Sequence, residues 1–242
     1  MAIYFFQLDA HGTPCNLGRT LRAFGQQIKL IDVHNASTLP LDLDEVHGII
    51  VCGGGASLTA SSGTVESFVR GAAKAEIPML AIGSGARLVA RALGGEISPC
   101  SERGVVNAKL NAVGREEPLF AGQPWTCEQA VWNDECVTKL PEGAKAFGST
   151  PSAKFAAWGL GPWIVAIDWH PEWDAKEIAE CAHSQEIAEC AHSKEIAECA
   201  HSQGAISAAT VSSIERLGRL FAERVSIILM PVDRMSSGRV RD

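Results

Sequence analysis

Six side chains of metal-binding type stand in a tandem repeat: Cys181 and His183, Cys190 and His192, and Cys199 and His201, each pair two residues apart. Thiolate and imidazole together suit zinc or copper. The repeat reads as helix, and on a helix positions i and i+2 diverge by about 200°, so no pair chelates alone. Cys181 and His192 return to one face but stand about 16 Å apart along the axis. A metal centre there requires a second chain or a repeat that is not helical. Ser84, in Ile82-Gly-Ser-Gly-Ala86, offers a hydroxyl at a glycine turn. Serine nucleophile elbows use Gly-x-Ser-x-Gly, and this turn misses that spacing. His170 and Glu172, in Ala166-Ile-Asp-Trp-His-Pro-Glu-Trp173, place an imidazole and a carboxylate two residues apart.

These groups need a frame. Residues Met79 to Ile97 read as a buried strand, a sharp glycine turn and a helix. Ile3–Leu8, Ile28–Val33 and His47–Cys52 are apolar runs of strand character, while Leu17–Phe24, Val65–Ala75 and Arg87–Leu93 carry helical patterns. Strands alternating with helices predict a parallel sheet covered on both faces. Beyond Ile97 the pattern changes. Val105–Val113 alternates apolar and polar residues, as a half-buried antiparallel strand does. Ala130–Trp132, Ala144–Gly148, Lys154–Trp158 and Trp163–Asp168 are further short strand candidates. The tryptophans crowd into this stretch, as packing for an antiparallel extension or as a ligand wall. Ile214, Leu217, Leu220, Phe221, Val225 and Ile228 recur at helical spacing, which predicts a core-facing helix over about 208–228. The expected organisation is one α/β domain over 1–230, interrupted at 175–203, with a loosely held tail over 231–242.

The interruption is three nearly identical nine-residue units over Lys176–Ser202, the first reading Lys-Glu-Ile-Ala-Glu-Cys-Ala-His-Ser. Their composition favours helix. Asp174 and Glu177 have the spacing of a capping box, and Gly204 stands where such a helix stops. Nine residues turn an α-helix by about 900°, so successive units face opposite sides. Ile178 and Ile196 share one face and Ile187 takes the other, leaving no continuous apolar stripe. Such a helix either projects or is sandwiched between neighbours. That points to homo-oligomer formation, and the alternative is a solvated extension without function.

The chain has 242 residues, 46% hydrophobic, with a formal charge of −7 and no basic stripe. That composition fits a globular protein and gives nucleic acid no electrostatic footprint. The apolar start lacks the basic region and cleavage site of a signal peptide, and no apolar run reaches membrane-spanning length. Eight cysteines without secretory context read as reduced thiols, which predicts a cytoplasmic setting.

The segment Met79 to Ile97 resembles the nucleophile elbow of class I glutamine amidotransferases, as in GMP synthase-type glutaminase domains. The family carries Gly-Ile-Cys-x-Gly-x-Gln there. This chain has Ala81 for the first glycine, Gly83 for the cysteine and Arg87 for the glutamine. Three other stretches agree in order and spacing. Gly48-Ile-Ile-Val-Cys-Gly-Gly-Gly-Ala-Ser57 resembles the oxyanion-hole strand and loop. Trp132–Ala144 is similar to the His-x-Asp-x-Val…Leu-Pro-x-Gly-Ala stretch, and Ala166–Trp173 to the His-Pro-Glu turn. The resemblance implies an open, mostly parallel sheet flanked by helices, a flavodoxin-like core with a small antiparallel extension. It implies His170 as base and Glu172 as its orienter, following the logic of an activated nucleophile. Oxyanion donors carry over to Gly54 and the backbone near Ser84, with Gly53 and Gly85 lining the same turns. The nucleophile does not carry over, since Gly83 has no side chain.

Three functional readings follow. The first is a degenerate amidotransferase-like protein without glutaminase activity, acting in ligand binding, regulation or assembly. The second is an active amide or γ-glutamyl hydrolase in which His170 activates water. The third is an oligomerisation module driven by the repeat. None calls for a cofactor. Partners are a small-molecule ligand, which Arg87 would attract if anionic, or a second copy of the chain. Arg87 in a salt bridge and His170–Glu172 as a pair kept for turn geometry are the structural alternatives.

Overall fold

The computed structural model describes residues 2–33, 39–40, 43, 46–54, 62–179 and 207–228. The Cys-x-His pairs, Ile187, Ile196, Gly204 and the tail 231–242 lie outside these residues. Among the described residues nine strands build one sheet: β1 (Ala2–Gln7), β2 (Ile28–Asp32), β3 (Val46–Gly53), β4 (Met79–Gly83), β5 (Glu96–Leu110), β6 (Thr126–Lys139), β7 (Lys145–Ser149), β8 (Ala157–Leu160) and β9 (Ile164–Ile167). Across the sheet the order is β2-β1-β3-β4-β9-β8-β7-β5-β6. The first five run parallel in that order, and from β9 onward every pairing is antiparallel. The parallel half has the flavodoxin-like order that the sequence predicts, with the antiparallel extension on its far side.

The strands alternate their side chains between two apolar layers, as a period of two requires. Ile3 and Phe5 of β1, with Ile50 of β3 and Leu80 and Ile82 of β4, pack against Leu17 and Leu21 of helix α1 (Cys15–Ala23) and Phe221 and Val225 of helix α5 (Ala208–Ile228). Tyr4, Phe6, Ile49 and Val51 turn to the other face. There they meet Val65 and Val69 of helix α2 (Ser62–Lys74) and Leu88 and Val89 of helix α3 (Ser84–Ala92). Helix α5 buries Ile214, Leu217, Phe221 and Val225, about 6–12 kcal/mol of gross apolar transfer. Ile228, at the same spacing, is exposed instead.

The extension departs from the short strands expected of it. β5 and β6 form one long antiparallel ribbon, with Ala130–Trp132 in the middle of β6. Val105–Val113 does not stay extended. β5 ends at Leu110, and the Asn111 side chain accepts from Gly114 N at 2.8 Å to start the short helix α4 (Ala112–Glu116). β8 begins at Ala157, three residues after the predicted start. At the entry to the repeat one half of the capping box forms, Asp174 N donating to Glu177, while the Asp174 side chain accepts from Lys176 N in place of Glu177 N, opening a helical turn over 175–179. Ile178 of the first unit packs against Ala130, Trp173 and Ile214, so the repeat starts from the core.

Candidate active site

β4 leads straight into α3, and the join is Gly83 with φ 59° and ψ −125°, a conformation that side-chain-bearing residues rarely adopt. Close packing fixes this bend. A Cβ on Gly85, the second residue of α3, would stand 2.0 Å from the Val51 carbonyl oxygen, so only glycine lets α3 sit this tightly on β3. A Cβ on Gly83 would lie 2.4 Å from His170 Cε1, 3.0 Å from His170 Nε2 and 2.2 Å from the Gly53 carbonyl oxygen. The elbow therefore points any side chain at the imidazole. In this packing the imidazole and a backbone carbonyl already fill that space.

His170 is placed by the turn that follows β9. Its backbone N–H donates to the Ala130 carbonyl at 2.9 Å, and Asn16 N donates to the Glu172 carbonyl at 3.0 Å. Helix α5 presses on the turn where Gly218 meets Pro171, since a Cβ on Gly218 would come within 2.2 Å of the Pro171 oxygen. His170 Nδ1 and Glu172 Oε1 lie 2.7 Å apart, with both side chains fully buried. A carboxylate only accepts, which assigns a proton to Nδ1, while Nε2 faces the elbow. Nε2 has no hydrogen-bond partner among the described residues. The Trp173 ring stacks flat on the imidazole, 3.8 Å between centroids and 4° between planes. That tryptophan, with Trp158 and Trp169, is buried, whereas Trp125 and Trp163 are exposed.

The remaining predicted residues separate by environment. Gly54 N–H, the expected oxyanion donor, donates to both carboxylate oxygens of Asp9, at 2.9 and 2.8 Å. Asp9 also accepts from His11 N and Gly12 N, so it fills a small nest of amides with its own charge. The Ser84 hydroxyl lies 2.0 Å from where a Gly53 Cβ would be, so it turns toward Gly53. Arg87 is fully buried. Its Nη1 donates to Asp168 Oδ1 and to Asn133 Oδ1, each at 2.7 Å, and Asn133 Nδ2 donates to the Asp168 carbonyl. This is the salt-bridge placement, not a pocket mouth. Burial raises the Asp168 carboxyl from the ordinary 3.8 to about 6, and the Arg87 guanidinium opposes that rise.

Sequence reasoning gave no role to Asp9, Cys52, Asn133, Asp168 or Trp173. Cys52 stands at the end of β3, with Sγ 3.5 Å from Glu172 Oε1. Burial, with the Glu172 carboxylate next in size, pushes its thiol well above the ordinary range. A protonated thiol on the far side of the dyad is a poor nucleophile. Among the described residues no three His, Cys, Asp or Glu side chains converge on a metal position, and no helix is long and apolar enough to cross a membrane.

A buried imidazole–carboxylate pair facing a strand-to-helix elbow invites comparison with known proteins. The family described as glutamine amidotransferase class-I matches residues 8–198. The chain is 34% identical over 159 residues to a subunit of the glutamine-hydrolyzing GMP synthase of Archaeoglobus fulgidus, covering 64% of this chain and 80% of that one. It is 32% identical over 149 residues to the GMP synthase of Porphyromonas gingivalis, of which it spans 28%. Two solved structures share the fold. The glutamine amidotransferase of Methylobacillus flagellatus has a TM-score of 0.75 at 22% identity, covering 94% of this chain and 93% of that one. That of Thermotoga maritima has a TM-score of 0.76 at 15% identity, covering 95% and 99%. With motif order, fold and family match in agreement, the chain belongs to the class I glutamine amidotransferases.

Proposed function

We propose that this protein is a degenerate member of its family, without glutamine hydrolysis, acting by ligand binding, regulation or assembly in the cytoplasm. The observation that carries this reading is Gly83. It holds the elbow conformation, aims at His170 Nε2, supplies no atom to attack an amide, and leaves no room for one. The engaged Gly54 amide supports it as well, because a donor already bound to Asp9 offers little to an oxyanion. So does Arg87, whose charge is held by Asp168 beneath the elbow and not offered to a ligand. Catalysis through a thioester needs a nucleophile within reach of the base, and only the base and its orienter remain.

One feature favours the second reading, a hydrolase that activates water. Nε2 of His170, on an imidazole oriented by Glu172, has no hydrogen-bond partner among the described residues. Its complete burial opposes that reading, because a general base must reach both water and substrate. One measurement separates the two. Ammonia release from glutamine by the full chain is expected at the uncatalysed level. Turnover that disappears in His170→Ala overturns the degenerate reading.

A further inference from the structure

Two cysteines in the antiparallel ribbon lie far from the elbow in sequence and take no part in it. On β6, Cys136 is paired in register with Ser98 of β5. Two residues further along β5 the ladder slips. Pro99 pairs with Glu135 and Glu102 with Asn133, so Cys100 and Ser101 together oppose Asp134. An extra residue of this kind is a β-bulge, which bends the strand and re-aims its side chains. Here it leaves Cys100 diagonal to Cys136 across the ladder, and Cys100 packs against the apolar cluster that holds Cys136. Cys136 is buried at 8% exposure, while Cys100 is half-buried, with Sγ 3.7 Å from the Ser152 carbonyl oxygen. Both are free thiols. The pair therefore has one member that solvent reaches and one held behind it.

We propose that Cys100 and Cys136 form a reversible redox pair, which a hydroperoxide converts to a disulfide joining the β5 bulge to β6. The Cys100 thiolate attacks one peroxide oxygen. The O–O bond breaks, hydroxide leaves, and Cys100 becomes a sulfenic acid. The Cys136 thiolate then attacks that sulfur, forming the S–S bond and expelling a second hydroxide. Two thiols give up two electrons and two protons, and the peroxide ends as two waters. A small dithiol reverses the bond by exchange. The staple would fix the stretch of β6 that carries Asn133, three residues from Cys136, which holds Arg87 against Asp168. The pair depends in no way on whether the elbow hydrolyses glutamine.

Burial and the adjoining Cys136 thiol push the Cys100 thiol up to about 12. Thiolate is therefore scarce near neutrality, and oxidation should quicken about tenfold for each pH unit. The test treats the full chain with hydrogen peroxide at pH 7, 8 and 9, then blocks with maleimide and digests with trypsin without reduction. The expected product is peptide 92–103 linked to peptide 116–139, which carry these cysteines. Cys127 shares the second peptide, but nine residues of strand put it about 30 Å from Cys136. The link is thus expected to survive Cys127→Ser and to vanish in Cys136→Ser. Cys100→Ser, at the more exposed position, gives the same loss if the core variant folds poorly. Cys100 recovered unlinked, over-oxidised, or joined to any other cysteine overturns the proposal.

Discussion

Replacing Gly83 with alanine tests the sealed elbow most directly, because one methyl group meets three obstacles. The φ of 59° costs a side-chain-bearing residue about 1–3 kcal/mol. The new Cβ would begin 2.2 Å from the Gly53 carbonyl oxygen and 2.4 Å from His170 Cε1, well inside contact distance. Forcing one carbon into such packing costs about 1–3 kcal/mol more. Alanine restricts the unfolded chain more than glycine does, which returns about 0.4–1 kcal/mol. The net loss is about 1.5–5 kcal/mol, a large part of a stability of about 5–15 kcal/mol. Urea unfolding of Gly83→Ala should show the midpoint falling by about 0.5 M or more. Gly83→Cys carries the same Cβ and the same penalty. It should fold less stably and release no more ammonia from glutamine than the parent. A Gly83→Cys protein of parental stability, with glutamine turnover abolished by His170→Ala, would refute the claim that His170 and Gly53 close the site.

Two further outcomes follow from buried contacts. Arg87→Gln leaves Asp168 buried without a countercharge, a loss of about 3–5 kcal/mol while the carboxylate is ionised. Asp168 already takes its proton more readily when folded than when unfolded, about 6 against 3.8. The folded state therefore binds more protons, and this group's contribution is fullest below about 4 and fades as pH rises through 6. Removing Arg87 extends that window upward. Chemical unfolding should then show a small loss at pH 5 and one about 2 kcal/mol larger at pH 8, and equal losses would contradict the ion-pair account. Gly218→Ala drives a Cβ to 2.2 Å from the Pro171 oxygen, so α5 and the His170 turn must part, at about 1–3 kcal/mol. Because Trp173 stacks on His170, its fluorescence should shift with the loss of stability, and a spectrum identical to the parent's would show that the turn did not move.

The layout of the sheet was legible because period-two and helical patterns survive wherever an element buries a face, as in β3, β4 and α5. Boundaries in the extension were not. Val105–Val113 alternates correctly as far as Leu110, but the chain then turns on Asn111, whose capping role competes with its place in an alternating run. β8 starts late because Ala153 is held in a turn with Thr150, its N–H donating to Thr150 Oγ1 and its carbonyl accepting from Thr150 N. At the site, His170, Glu172 and the elbow were legible because they sit in contiguous motifs. Asp9, Cys52 and Asn133 act across 45, 120 and 46 residues of sequence respectively, and no local spacing announces such a contact. Arg87 was ambiguous for the same reason, since its partner Asp168 lies 81 residues away.

The retained elbow has a physical explanation once the nucleophile is set aside. Beside the bend at Gly83, α3 is seated on β3 through Gly85, a packing that uses no side chain at position 83. Any other residue there bears a strain of about 1–3 kcal/mol, which an enzyme tolerates when the strained side chain does the chemistry. Glycine removes that strain and keeps the turn. With glycine at this position His170 and the Gly53 carbonyl occupy the space a Cβ would take, and the imidazole is stacked on Trp173 and bonded to Glu172. On the reading proposed above, losing glutaminase chemistry stabilises the fold, as the usual opposition between activity and stability requires. An intact dyad is then no guide to turnover. On that reading what decides the matter is whether the atom the base should deprotonate is present, and a glycine at position 83 supplies none.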